Sequence, residues 1–280
     1  MKKILLLPLI LLLVVSGVSS HGYRINDISL DWNPEMKANV FSAAKELLKV
    51  DEEPYLLDFD YELIVVKYDR IKELNAWVHP TTFEIYGYRD DSIISSDTTE
   101  NFNAEQRKST AEQSFLDNVP KEMQSELQYN GEKKLYLGTY EYAWFRYVDG
   151  AYVGNDNFAV EIDPNNGKVI AWRLSPFLTP KEKIKVESAI SPEVAQKIAE
   201  ITFNAEPTDQ KPFFMIELDK PVWTTKVKNI YPFFVQVDAR DGSIHASGAV
   251  RSELPQDYSF SDVPIVESGL IKSIYAGDTQ

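Results

Sequence analysis

One hairpin is written three times along this chain, and fixed-period self-similarity constrains architecture before any single residue does. The clearest copy is FAVEIDPNNGKVI, Phe158 to Ile170. A second is FFVQVDARDGSI, Phe233 to Ile244, and a third, more divergent, is LNAWVHPTTFEI, Leu74 to Ile85. In each, apolar residues alternate with polar ones up to a polar turn, the signature of a half-buried antiparallel pair. A helical period precedes each meander. Asn33-Pro34 and Ser191-Pro192 read as N-cap and N1. Val40, Ala43, Ala44, Leu47 and Leu48 fall on one helical face, as do Val194, Ile198, Ile201 and Thr202. A more polar helix is expected over residues 103–118. Pro120 breaks it, and a shorter stretch then runs to a stop at Gly131.

The expected fold class is therefore α+β, in tandem modules each made of a helix packed on an antiparallel β-meander. The expected divisions are a signal segment (1–20), a divergent first unit (33–90), a second unit (103–176), a third unit (188–250) and an irregular tail (251–280). Residues 91–100, polar and rich in Ser and Thr, read as a linker. Because strand side chains alternate faces, Phe158, Val160 and Ile162 should share a side, matching Phe233, Val235, Val237 and Leu74, Ala76, Val78. Each unit's helix is expected on that side. Glu161, Asp163, Gln236 and Asp238 are expected on a solvated one.

The turn has its own chemistry. Asp163 and Asp238 can accept backbone amides ahead of them, and Gly167 and Gly242 can take the left-handed conformation that closes such a loop. These four are the structural turn residues. In the first copy Phe83 stands at the glycine position, where positive φ is strained. That copy must turn differently, or its alignment is shifted by one residue.

The N-terminus has the layout of a secretory signal: Lys2 and Lys3, an apolar run over residues 4–15, then small residues at 17–20. The run is shorter than the ~20 residues of a spanning helix. An uncleaved N-terminal anchor is the one membrane attachment left open, and the mature chain is expected to be extracellular, at the cell surface or periplasmic. It contains no cysteine, which excludes disulfides, thiolate metal sites and Cys nucleophiles. Formal net charge is −14, and loss of Lys2 and Lys3 with the leader takes it to −16. Such a chain is repelled by nucleic acid and by anionic lipid.

The tract Tyr142-Ala-Trp144 followed by residues 158–172, and Trp223 followed by residues 233–244, resemble the PepSY superfamily, including the YcdB-type repeats of exported prokaryotic proteins. The shared pattern is a helix, an aromatic strand, then a hairpin of the form apolar-x-Val-Asp-x-x-x-Gly-x-Ile/Val. The resemblance spans residues 110–250 and extends weakly over 35–90. It implies a non-catalytic extracellular or envelope module, of a kind proposed to bind and restrain peptidases, and it brings no catalytic residues with it.

Catalytic chemistry finds few candidates. Three histidines are present, and His79 and His245 lie in hairpin copies. No zinc-peptidase, nucleophile-elbow, P-loop or dinucleotide pattern occurs. The loops 163–167 and 238–242 lack the later bidentate Glu of a calcium loop. Carboxylate pairs such as Asp58 with Asp60 or Glu141 with Glu161 suit a solvated face. Cleavage after Ser20 would expose His21 as an N-terminal copper ligand, with His79 or His245 as the second. No cofactor is expected. The tyrosines 136, 140, 142, 147 and 152 with Trp144 either pack within the sheet or form an exposed platform, and an edge strand could accept a partner peptide. The expected function is non-enzymatic binding of a protein partner, with an extracellular peptidase the class to test. The alternatives are a structural component of the cell envelope and an N-terminal-His copper enzyme.

Overall fold

A computed structural model describes residues 34–248, apart from 55, 61–62, 70–72, 97–98, 176–179, 218–219 and 231. The signal segment, His21 and the tail 251–280 lie outside the described residues. The chain divides into two compact units, residues 1–92 and 93–280. Helices lie on open, mainly antiparallel sheet in both. No described helix is long and apolar enough to cross a membrane.

In the first unit, α1 (Pro34–Leu48) lies on the meander β1 (Leu56–Asp60), β2 (Leu63–Asp69), β3 (Leu74–Val78) and β4 (Ile85–Asp90). Val40 and Ala44 of the helix meet Ile64, Val66, Ala76 and Val78 in one buried cluster.

The second unit holds two further meanders. The first comprises α2 (Ala104–Asn118), α3 (Lys121–Gln124), β5 (Leu127–Lys134), β6 (Tyr140–Val148), β7 (Ala151–Ile162) and β8 (Val169–Leu174). Asn103 caps α2 through a capping box with Gln106. Phe115 of α2 stacks on Trp144 and meets Phe158 edge-on. Gly131 is not a helix stop. It sits within β5, at φ 119 and beside a register shift, so the Gly131 signal marked a bulge. The next meander comprises α4 (Pro192–Phe203), β9 (Glu206–Pro207), β10 (Phe213–Glu217), β11 (Lys220–Lys228), β12 (Pro232–Asp238) and β13 (Ile244–Gly248). Ser191 caps α4, and left-handed Asn204 ends it. The helix seats Ala195 and Ala199 against Trp223, Val235 and Val237. Ile201, expected on that face, is 70% exposed, because the two alanines form the seam and turn it outward.

The three hairpin loops are one backbone design. Each shifts register by a residue at the loop, placing Tyr86, Ile170 and His245 at equivalent bulges. In each, the first loop residue donates its N–H to the sixth (His79 to Glu84, Asp163 to Lys168, Asp238 to Ser243). The fifth returns an N–H to the first, from Phe83, Gly167 and Gly242 respectively. Those three residues have φ 61, 69 and 78. The first copy therefore turns as the others do and its alignment is unshifted, contrary to the expectation from Phe83. Its side chain explains the exception. Phe102 crowds against Gly167 and Ile198 against Gly242, leaving no room for a Cβ, whereas Phe83 packs its own ring onto the core of the first unit. His79 likewise stands in for aspartate: its Nδ1 accepts the amides of Thr81 and Thr82, as Asp163 and Asp238 accept those of Asn165 and Arg240.

The face expected to be solvated is not. Glu161, Asp163, Gln236 and Asp238 are all buried. The reverse side of the second unit's sheet carries a second apolar cluster of Phe145, Tyr152, Phe213, Met215 and Val222. Asp163 and Asp238 point into their loops, and Glu161 accepts a short bond from Thr139. The stretch 91–100, expected as a linker, is tied down at its described residues Ser95 and Glu100. The N–H groups of Asn101 and Phe102 bond the Pro164 carbonyl, and that of Ser95 bonds Asp163. In the next copy Ala189 donates to Ala239 in the same way.

Strand β7 joins the two meanders. Residues 158–162 pair with β8, while Tyr152 and Val153 pair in parallel with Met215 and Ile216 of β10. Gly154 lies at the crossing. A Cβ there would meet Met215 at 2.6 Å, the Ile216 carbonyl at 3.3 Å and the Glu217 carboxylate. Gly154→Ala should therefore destabilise the second unit by about 2–3 kcal/mol, as overpacking does. Gly138→Ala, at φ 82 but in open space, should cost only about 1 kcal/mol of backbone strain. Urea denaturation of the two variants checks the ranking.

Candidate functional site

Two features coincide at one end of the second meander: a sheet edge and a pocket. Among the described residues β5 pairs only with β6, and most of its side chains are exposed. Just beyond it the chain turns at Gly138, with the Leu135 N–H bonded to the Thr139 carbonyl. Tyr129, Tyr136 and Leu137, on β5 and this turn, are among the protein's exposed large apolar side chains, and Tyr136 is fully so. Lys133, Lys134 and the bulge at Gly131 lie on the same strand, devices that discourage indiscriminate edge pairing.

The pocket, about 290 Å³, lies between this turn, the β7–β8 loop and the strap ahead of α2. Ser95, Glu100, Lys134, Thr139, Asp163 and Asn165 supply its polar lining. Beside it is a ring of paired charges. Lys134 donates to Glu100 at 2.6 Å, and Tyr140 donates to the same carboxylate. The Arg107 guanidinium lies 3.7 Å over the Tyr140 ring and donates to Tyr142 and the Phe102 carbonyl. Tyr142 in turn donates to Glu132 at 2.6 Å. The bond from Lys134 holds the Glu100 carboxyl below its ordinary range. Desolvation lifts the Tyr142 phenol far above its own, so it acts as a neutral hydrogen-bond bridge. Packing claims half of the aromatic set: Tyr142, Trp144 and Tyr152 are buried, Tyr140 and Tyr147 are half-buried, and Tyr136 is the exposed member.

The four turn residues fall in two places. Asp163 borders the pocket, with Gly167 in the same loop; Asp238 and Gly242 form the corresponding loop of the last hairpin. His79 is occupied within its turn, and burial holds the His245 imidazole below its ordinary value. No group of three or more His, Asp or Glu among the described residues could hold a metal ion. Sequence reasoning missed Glu100, Lys134 and Arg107, which lie far apart along the chain and carry no motif.

A second set of ionisable groups sits where β7 leaves β6. Arg146, 2% exposed, donates to Glu126 at 2.7 Å and to Asp156 at 2.8 Å, and Lys181 reaches Glu126 at 3.9 Å. Burial pushes the Asp156 carboxyl up to about 6 against the pull of Arg146, and Glu126 and Glu217 add to the rise. The cluster is enclosed by sheet and reads as a structural joint.

Comparison with family models and with curated proteins finds no match. Among solved structures, the Bacillus megaterium YpeB C-terminal domain is similar over 75% of this chain and 96% of that domain, at 11% identity and a TM-score of 0.37. That overlap is too loose to transfer a role.

The joint has a pH signature. A carboxyl whose folded pKa lies above its unfolded one favours folding when protonated, so its contribution is lost as pH climbs from about 4 through about 6. The shift corresponds to roughly 3 kcal/mol. Asp156→Asn keeps an acceptor for Arg146 and should flatten this part of the stability profile, raising Tm relative to wild type at pH 7.5 but not at pH 4. Arg146→Leu strands the buried Asp156 carboxylate and should cost about 3 kcal/mol. Melting curves across pH 4–8 check both.

Proposed function

We propose that this is an exported, non-catalytic protein that binds an extended segment of a protein partner along β5. The observation that carries the reading is the coincidence of an edge strand with exposed Tyr129, Tyr136 and Leu137 beside it. An edge offers backbone donors and acceptors to an added strand, and neighbouring side chains give it selectivity. Exposed aromatics suit the centre of such a contact. The wide acidic excess favours a partner segment that is basic. The PepSY resemblance supplies the partner class, an extracellular peptidase held in check in trans. The leader-like N-terminus, with Lys2, Lys3 and its apolar run, supports export.

The test pairs activity with location. The protein is mixed with a panel of purified secreted metallo- and serine peptidases, and casein hydrolysis is followed alongside hydrogen exchange. The expected result is slowed hydrolysis by at least one peptidase, with new amide protection at residues 127–137. Tyr136→Lys with Leu137→Lys should weaken that complex about tenfold. Protection confined to α2 or α4, with β5 exchanging as in the free protein, would refute docking at this edge. A panel in which every peptidase works at full rate would remove the peptidase.

A further inference from the structure

We infer that the pocket beside the β7–β8 loop is a docking site for an arginine side chain, presented by the segment that β5 captures. The inference rests on the reading of β5 as a binding edge and names the chemistry of what arrives there. Its basis is a comparison the protein makes with itself.

The β12–β13 loop shows how this loop holds a guanidinium. Arg240 donates from Nε to Asp238 Oδ1 at 2.9 Å and from Nη2 to Oδ2 at 2.6 Å. Oδ1 accepts the Arg240 backbone N–H as well, so one carboxylate oxygen serves both the turn and the guanidinium. In the β7–β8 loop every backbone element is repeated: Asp163 Oδ1 accepts the Asn165 N–H at 2.8 Å, and Gly167 returns its N–H to Asp163. Asn165 occupies the place of Arg240 and brings no cation. Each carboxylate oxygen has two lone pairs. Oδ2 of Asp163 accepts the Ser95 N–H where Asp238 Oδ2 accepts Arg240 Nη2. Oδ1 accepts the Asn165 N–H alone, so the open position is the one on Oδ1 that Arg240 Nε fills on Asp238.

The surroundings agree. The space that a long side chain would need is present as the pocket, at the small end of ligand sites. The Asn165 Oδ1 atom is buried without a donor, and Asn165 is the side chain that must turn aside to admit the ligand. Of the charged residues that line the pocket, Glu100 and Asp163 outnumber Lys134, which disfavours an anion. A planar fork of donors suits a carboxylate better than the point charge of lysine does.

The test is a titration of the isotopically labelled full chain with N-acetyl-arginine methylamide, followed through the amide resonances of Ser95, Gly138 and Asn165. The lysine analogue and the neutral citrulline analogue serve as comparisons. Saturable shifts with arginine are expected, at least fivefold weaker affinity for lysine, and none for citrulline. Asn165→Arg, which supplies from within what Arg240 supplies in the other loop, should abolish the shifts while preserving the melting temperature. Glu100→Gln should weaken binding several-fold. Citrulline binding as well as arginine does, absence of saturable shifts, or unchanged binding in Asn165→Arg would each overturn the inference. Lysine binding as well as arginine would overturn the guanidinium assignment. Partner-induced protection of β5 that survives in Asn165→Arg at full affinity would show that the edge binds without the pocket, which separates this failure from failure of the edge itself.

Discussion

The parallel contact between β7 and β10 is the constraint on which the second unit depends. Antiparallel meanders assemble from neighbouring strands, but joining two of them requires one strand to serve both. β7 does this by changing partners along its length, which needs an irregular stretch between its halves. At that stretch Gly154 admits close approach of β10, and Arg146 satisfies carboxylates that the crossing would otherwise bury alone. The surfaces proposed for binding hang from the outer half of the same strand: β6 holds β5, and the β7–β8 loop walls the pocket.

The repeated loop shows that repetition here acts on backbone hydrogen bonds more than on side chains. His79 replaces aspartate by offering a ring nitrogen, and Thr82, Asn166 and Asp241 each use a different oxygen to accept the amide two residues on. Phe83 accepts the strain of positive φ, of order 1–2 kcal/mol, where burial of its ring offsets it. Identical backbones then leave side chains free to diverge, and the exchange of Arg240 for Asn165 is such a divergence.

Much of this was legible in sequence because alternation and turn chemistry are local. The triplets Phe158-Val160-Ile162 and Leu74-Ala76-Val78 announce their inward faces at period two, and the cap Ser191 announces its helix. What failed was non-local. Glu161 and Asp238 have the polarity of a solvated face, yet both are buried, Glu161 against Thr139 and Asp238 beneath Arg240, on a side of the sheet that also carries an apolar cluster. Ile201 has helical spacing but loses its place to two alanines that let α4 lie close. The pocket draws on the strap, the β5–β6 turn and the β7–β8 loop, segments that no motif links.

If β7 welds the two meanders, they cannot open separately. Native-state hydrogen exchange reads this directly, through the slowest amides of β6 and β7 on one side and of β11 and β12 on the other. The predicted result is one shared opening free energy for both sets, falling by the same amount under rising denaturant. Two distinct free energies, with the last meander opening while β6 and β7 stay protected, would contradict it.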